Sequence, residues 1–198
     1  MKRPYAGYEV LDKWASPSFD AKTRRVLEQR LAPARGPRFF SGPEFALLEA
    51  VTGRLLPQSD RRAPIPVAAW IDGRLADGLG DGYRNEHAPP APEAWRRGLA
   101  ALEAEARLRF ERHFVELGPD QQDALLSAVQ SGEVRADAWE GLDAKRFFKD
   151  PLLKTTAGLY YAHPAAWNEI GFGGPASPRG YVRLGFDERD PWEAEERR

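Results

Sequence analysis

His163 is the side chain best equipped to move a proton: it follows Tyr160 and Tyr161, precedes Pro164, and shares its segment with Arg179. An imidazole among phenols and a guanidinium could serve acid–base chemistry in a small-molecule pocket. That arrangement would make the chain a stand-alone enzyme or ligand-binding protein. The plainer role for His163 is a hydrogen-bonded group ending a helix, where its charge suits the C-terminal dipole.

The remaining chemistry-bearing residues are dispersed. The three histidines, His87, His113 and His163, lie far apart and no paired-ligand spacing accompanies them, so no metal site is expected. His113, near Arg109 and Glu116, reads as part of the solvated face of a long helix. The chain has no cysteine, which removes disulfides, thiolate catalysis, iron–sulfur clusters and thioether haem attachment together. No nucleophile-elbow serine occurs, and no spacing singles out a pair of carboxylates. Gly171-Phe172-Gly173-Gly174 lacks the lysine and hydroxyl residue of a phosphate loop, and Gly78, Gly80 and Gly82 follow no strand. Both read as backbone turns. No catalytic, cofactor-binding or metal-binding residue is therefore expected in this chain.

Aromatic rings and glycines instead crowd one stretch, from Tyr160 to Arg183. It is too rich in Gly and Pro for a regular helix or strand, and too rich in large rings for a solvated tail. It reads as an ordered, extended wrap over a helical body or over a partner. Aromatic residues and arginine are enriched at interfaces. The candidate partner-binding residues are Tyr160, Tyr161, His163, Trp167, Phe172, Gly173, Gly174, Arg179 and Tyr181.

The elements that must carry this stretch are helical. Ser18 reads as the cap of a helix from Phe19 to about Leu31, closed by Pro33, Gly36 and Pro37. Ser41 and Glu44 form a capping box for a helix that Pro57 stops. Its stripe is Phe45, Leu48, Val51, Leu55 and Leu56. Pro64-Ile65-Pro66 leads into a helix from Val67 to about Leu79, followed by a loop to Pro92. The longest helix is expected from Pro92 to about Leu117, with Trp95, Leu99, Leu102, Ala106, Phe110, Phe114 and Leu117 inward. Asp120–Gln130 is a shorter helix ending at Gly132. Lys145–Tyr161 is helical, with Pro151 expected to split it and Asp150 to cap the second half. No period-two pattern of β-branched residues occurs.

The fold class is accordingly all-α: a compact single-domain helical bundle with irregular aromatic N- and C-terminal arms. Residues 1–38 form the N-terminal arm and helix, 39–183 the helical domain with its wrap, and 184–198 a charged tail. With 29 basic and 30 acidic residues among 198, the formal net charge is −1. That balance points away from nucleic acid. No apolar run is long enough to span a bilayer, so no direct membrane insertion is expected. The N-terminus lacks an apolar signal region, and Thr23-Arg24-Arg25-Val26-Leu27 is followed by charged residues rather than by the apolar segment of a twin-arginine leader. A cytoplasmic location as encoded is expected, with export possible only alongside a partner.

The order of pieces from Phe40 to Tyr181 carries a family resemblance. These are the Phe45–Pro57 helix, Ile65-Pro66-Val67-Ala68-Ala69-Trp70-Ile71-Asp72, the Trp95–Phe114 helix, Gln121–Leu126, Phe147-Phe148, Tyr160-Tyr161-Ala162-His163-Pro164 and the Gly-rich turn. Together they resemble the gluconate 2-dehydrogenase subunit 3 family, the small gamma-type subunits of membrane-associated FAD-dependent sugar and alcohol dehydrogenases. The resemblance implies a non-catalytic accessory subunit with a chaperone-like role in docking, maturing or stabilising a large flavoprotein of the glucose–methanol–choline type. FAD, and haem c of a cytochrome c subunit, would reside in the partners and none in this chain. Members often carry a twin-arginine signal; its absence here leaves docking or maturation as the implied role. The resemblance transfers no catalytic residue.

Overall fold

The computed structural model describes residues 5, 7–32, 35–59, 61–79, 88–175 and 193–195. Among these residues every regular element is helical. In chain order they are a 3-10 turn at Val10–Lys13, α1 (Ala21–Leu31), α2 (Gly42–Leu55), α3 (Val67–Ala76), α4 (Ala91–Phe110), a 3-10 turn at Phe114–Glu116, α5 (Pro119–Ser131), α6 (Ala136–Trp139), α7 (Ala144–Phe147), a π-helical segment Phe148–Lys154, α8 (Thr155–Ala162) and α9 (Pro164–Ile170). The fold is all-α. The chain gathers into two compact units: one of residues 34–159, the other of residues 1–33 with 160–198.

In the unit of residues 34–159, α2 packs on α3, α4 and α5, and α4 also meets α6 and α7. Leu48, Val51, Ile71, Leu99, Leu102, Leu125 and Leu152 are fully buried there. Each removes apolar surface worth about 1.5–3 kcal/mol from water. The Phe147 ring lies edge-on to Trp95 at 6.1 Å and tilted against Trp139 at 5.9 Å. It reaches α4 because residue 98 is glycine: a Cβ there would stand 2.1 Å from the ring.

Two buried carboxylates fasten this unit. Asp72 on α3 accepts the amide protons of Arg38 (2.6 Å), Phe39 (3.0 Å) and Phe40 (2.9 Å). It thereby holds the chain entering α2. Glu105 on α4 accepts from Arg109 Nε at 2.8 Å and from the Arg135 amide. The capping box at α2 forms, closed by the glutamate: Glu44 Oε2 accepts the Ser41 amide at 2.8 Å and its hydroxyl at 2.7 Å. These bonds, the hydroxyl first, hold the Glu44 carboxyl below its ordinary range.

Several boundaries differ from the sequence reading. Helix α1 starts at Ala21, with Asp20 as cap accepting the Thr23 amide at 2.7 Å. Ser18 is buried instead, and its hydroxyl has no hydrogen-bond partner among the described residues. Helix α3 ends at Ala76 rather than near Leu79. Helix α4 ends at Phe110, well before Leu117, because Glu111 takes a left-handed conformation at φ 56°. Glu103 then accepts the Phe114 amide at 3.1 Å and meets His113 Nδ1 at 2.6 Å. That turn buries Phe114 and takes His113 off the helix. Pro151 does not split the next helix: it sits inside the π-helical segment. The wider turn accommodates a residue that lacks an amide proton. Asp150 caps nothing, and the cap lies upstream, where Asp143 accepts the Arg146 amide at 3.0 Å.

Candidate functional site

The aromatic–glycine stretch lies in the unit built from both chain ends. It was expected to be irregular and extended, yet residues Pro164–Ile170 form helix α9. Proline is tolerated at the first helical position, where its missing amide costs nothing. His163 supplies the cap: its Nδ1 accepts the Ala165 amide at 3.1 Å. Gly171 closes the helix at φ 66°. A Cβ at Gly171 would stand 2.7 Å from the Tyr5 ring, and one at Gly174 (φ 83°) 2.8 Å from Phe19. Both positions demand glycine for backbone angle and for space alike.

Trp167 is the centre of this site. It is 3% exposed and shares a core with Val10, Phe19 and Leu27, against which Tyr8, Leu11 and Trp14 pack. Its indole donates to the Tyr161 carbonyl at 2.6 Å, and the Phe172 ring stands edge-on to it at 5.3 Å. Tyr160 is buried and donates its hydroxyl to Glu169 at 2.8 Å, with the Tyr161 ring edge-on at 5.1 Å. The rings left in solvent are Tyr161 at 45% and Phe172 at 37% exposure, beside Ile170 at 49%.

Polar contacts tie the N-terminal residues to α9. The Val10 amide donates to Asn168 Oδ1 at 2.8 Å, and Asn168 Nδ2 donates to Glu9 at 2.8 Å. Lys13 Nζ donates to the Gly173 carbonyl and lies 5.3 Å from the Phe19 ring centre. Arg30 donates to the Ala162 carbonyl at 2.8 Å, at the C-terminal end of α8, where a cation is favoured. Partial burial pushes its guanidinium down from the ordinary arginine range. An open groove of about 430 Å³, lined by Leu11, Trp14, Glu28, Leu31 and Ala32, runs on this unit.

The structure thus brings Tyr160, Tyr161, His163, Trp167, Phe172, Gly173 and Gly174 into one neighbourhood. Trp167, Tyr160 and Gly174 serve the chain's own packing there, and His163 serves a helix cap. Arg179 and Tyr181 lie outside the described residues, as does His87. Sequence reasoning passed over Asn168, Glu9 and Lys13. No local signal marks them, because their role depends on residues about 160 positions away. Among the described residues, no cluster of His, Asp or Glu could hold a metal ion, and no helix is long and apolar enough to cross a membrane.

A family model described as gluconate 2-dehydrogenase subunit 3 matches residues 43–174, well over half of the chain. The chain belongs to the gluconate 2-dehydrogenase subunit 3 family. No curated relative and no solved structure matches it. The family match ends at Gly174, so it takes in α9 and the buried Trp167 but stops short of Arg179 and Tyr181. It begins after the residues that pack against Trp167 from the N-terminal side.

Proposed function

We propose that this chain is a non-catalytic accessory subunit that docks and matures an FAD-dependent dehydrogenase of the glucose–methanol–choline type. Membership of a family of dehydrogenase subunits carries this reading. The chemistry of the α8–α9 end supports it. His163 Nδ1 is committed to a helix cap and the Tyr160 hydroxyl to Glu169, so both groups have structural work. Tyr161 and Phe172 are exposed rings, one set edge-on to Tyr160 and the other edge-on to Trp167. Exposed aromatics are what a docking surface presents. On this reading the flavin sits in the large subunit, a cytochrome c subunit with haem c receives the electrons, and this chain contributes surface.

The test is co-expression with the cognate FAD-dependent large subunit, affinity capture through this chain, and a visible spectrum of the captured material. The expected result is flavin absorbance in the captured fraction. Capture should weaken at least tenfold in the Tyr161→Ser, Phe172→Ser double variant, a loss of about 1.4 kcal/mol or more. A chain that folds yet captures no flavoprotein would overturn the reading. Full capture by the double variant would remove these two rings from the interface.

A further inference from the structure

The surface around α9 belongs to the family-matched part of the chain, whereas the residues that cover it do not. The match spans residues 43–174. Trp167, Asn168 and the Gly173 carbonyl lie inside it; Glu9, Val10, Lys13, Phe19 and Leu27, which meet them, lie outside. Within the unit built from both chain ends, the family-matched residues 160–174 are therefore covered, in cis, by residues that lie outside the match.

That covering segment is lightly held. It brings three fully buried apolar side chains, Val10, Phe19 and Leu27, to a core completed by Trp167. Against this it must order more than twenty backbone residues, each at an entropic cost. Its first element is a single 3-10 turn of four residues. It buries the Ser18 hydroxyl without a hydrogen-bond partner among the described residues. Segments with few buried apolar contacts open locally at lower free energy than the global fold. Asn168 is the two-point polar latch on α9, receiving the Val10 amide and donating to Glu9, while Lys13 and Arg30 reach the Gly173 and Ala162 carbonyls.

We propose that residues 8–32 form a releasable strap over α9, latched by Asn168, which lifts as a unit while the residue 34–159 unit stays folded. Lifting uncovers the Trp167 ring and the Gly173 carbonyl. That these groups would then face a dehydrogenase partner rests on the docking reading above; the strap itself does not.

The chain has no cysteine, so single introduced thiols report opening without background. Val10 and Val51 are both fully buried, one under the strap and one in the residue 34–159 unit. The full-length Val10→Cys and Val51→Cys variants are reacted with a chromogenic thiol reagent under native conditions. Val10→Cys is expected to react at least tenfold faster than Val51→Cys. Adding Asn168→Ala should speed Val10→Cys several-fold further and leave Val51→Cys unchanged. Equal rates, or equal acceleration of both by Asn168→Ala, would overturn the strap. Amide exchange of the unmodified chain gives the same test without substitution. Amides of α1 and of Val10 should exchange together, at least tenfold faster than those in the middle of α4; matched protection would overturn the proposal. Neither readout involves a partner, so a failed flavoprotein capture and a failed strap are separate results.

Discussion

At the scale of single residues, the most consequential side chain is Asp72. Its carboxylate receives three backbone amides from residues 38–40 and is 1% exposed. Removing it leaves those donors without their acceptor, the Phe40 amide in the buried interior and the Arg38 and Phe39 amides partly buried. The Asp72→Ala variant should lose about 2–4 kcal/mol, since an unsatisfied buried donor costs about 1–3 kcal/mol and charge-assisted bonds are stronger than neutral ones. Urea unfolding followed by far-ultraviolet circular dichroism measures this. A loss below about 0.5 kcal/mol, the usual range for surface changes, would show that these amides find other partners. In the sequence, Asp72 is one acidic residue among many, visible only as the end of the run beginning Ile65-Pro66-Val67.

At the scale of elements, capping is where sequence and structure diverge most usefully. Serine before a helix and aspartate before proline are both good cap signals, yet neither Ser18 nor Asp150 caps. Asp20 and Asp143 do so instead, each accepting the amide three residues on. The Asp143→Ala variant should cost about 1 kcal/mol, while Asp150→Ala should stay within about 0.5 kcal/mol. Thermal unfolding of the two variants side by side decides this; the reverse order would restore the break at Pro151. The capping box at Ser41 and Glu44 and the terminal glycine of α5, Gly132 at φ 76°, were legible because every participant lies within a few residues.

Across the whole molecule, four of the described carboxylates are held below their ordinary range and so lend stability that acid removes. Asp77 is lowered chiefly by its hydrogen bond to Arg38, and Asp123 by its bond to Arg54. Asp20 is lowered chiefly by the Thr23 amide, and Glu44 by the Ser41 hydroxyl. Each has a folded pKa below its unfolded one. Its contribution is therefore complete above about pH 4–4.5 and is lost as the pH falls through the folded value. Stability should be flat with respect to these groups from neutral pH down to about pH 5 and then decline toward pH 2–3. A series of urea midpoints over that range checks it; a decline beginning above pH 6 would require other groups. Exposed pairs such as Arg38–Asp77 contribute little individually, so the decline should be gradual.

What the sequence determined by itself was what depends on short spacings: the helical class, most helix positions, the absence of cysteine chemistry and the order of pieces that marks the family. Periodicity, caps, prolines and glycines act over one or two turns, so their consequences can be read locally. Tertiary structure alone decided how the aromatic stretch packs as far as Pro175. Trp167 is buried because Val10, Phe19 and Leu27 arrive from the other end of the chain, and Asn168 latches because Glu9 and the Val10 amide meet it there. The end of α4 at Glu111 and the uninterrupted passage of Pro151 were decided in the same way. Burying Phe114, Phe148 and Leu152 depends on neighbours brought near by folding, which no local pattern encodes.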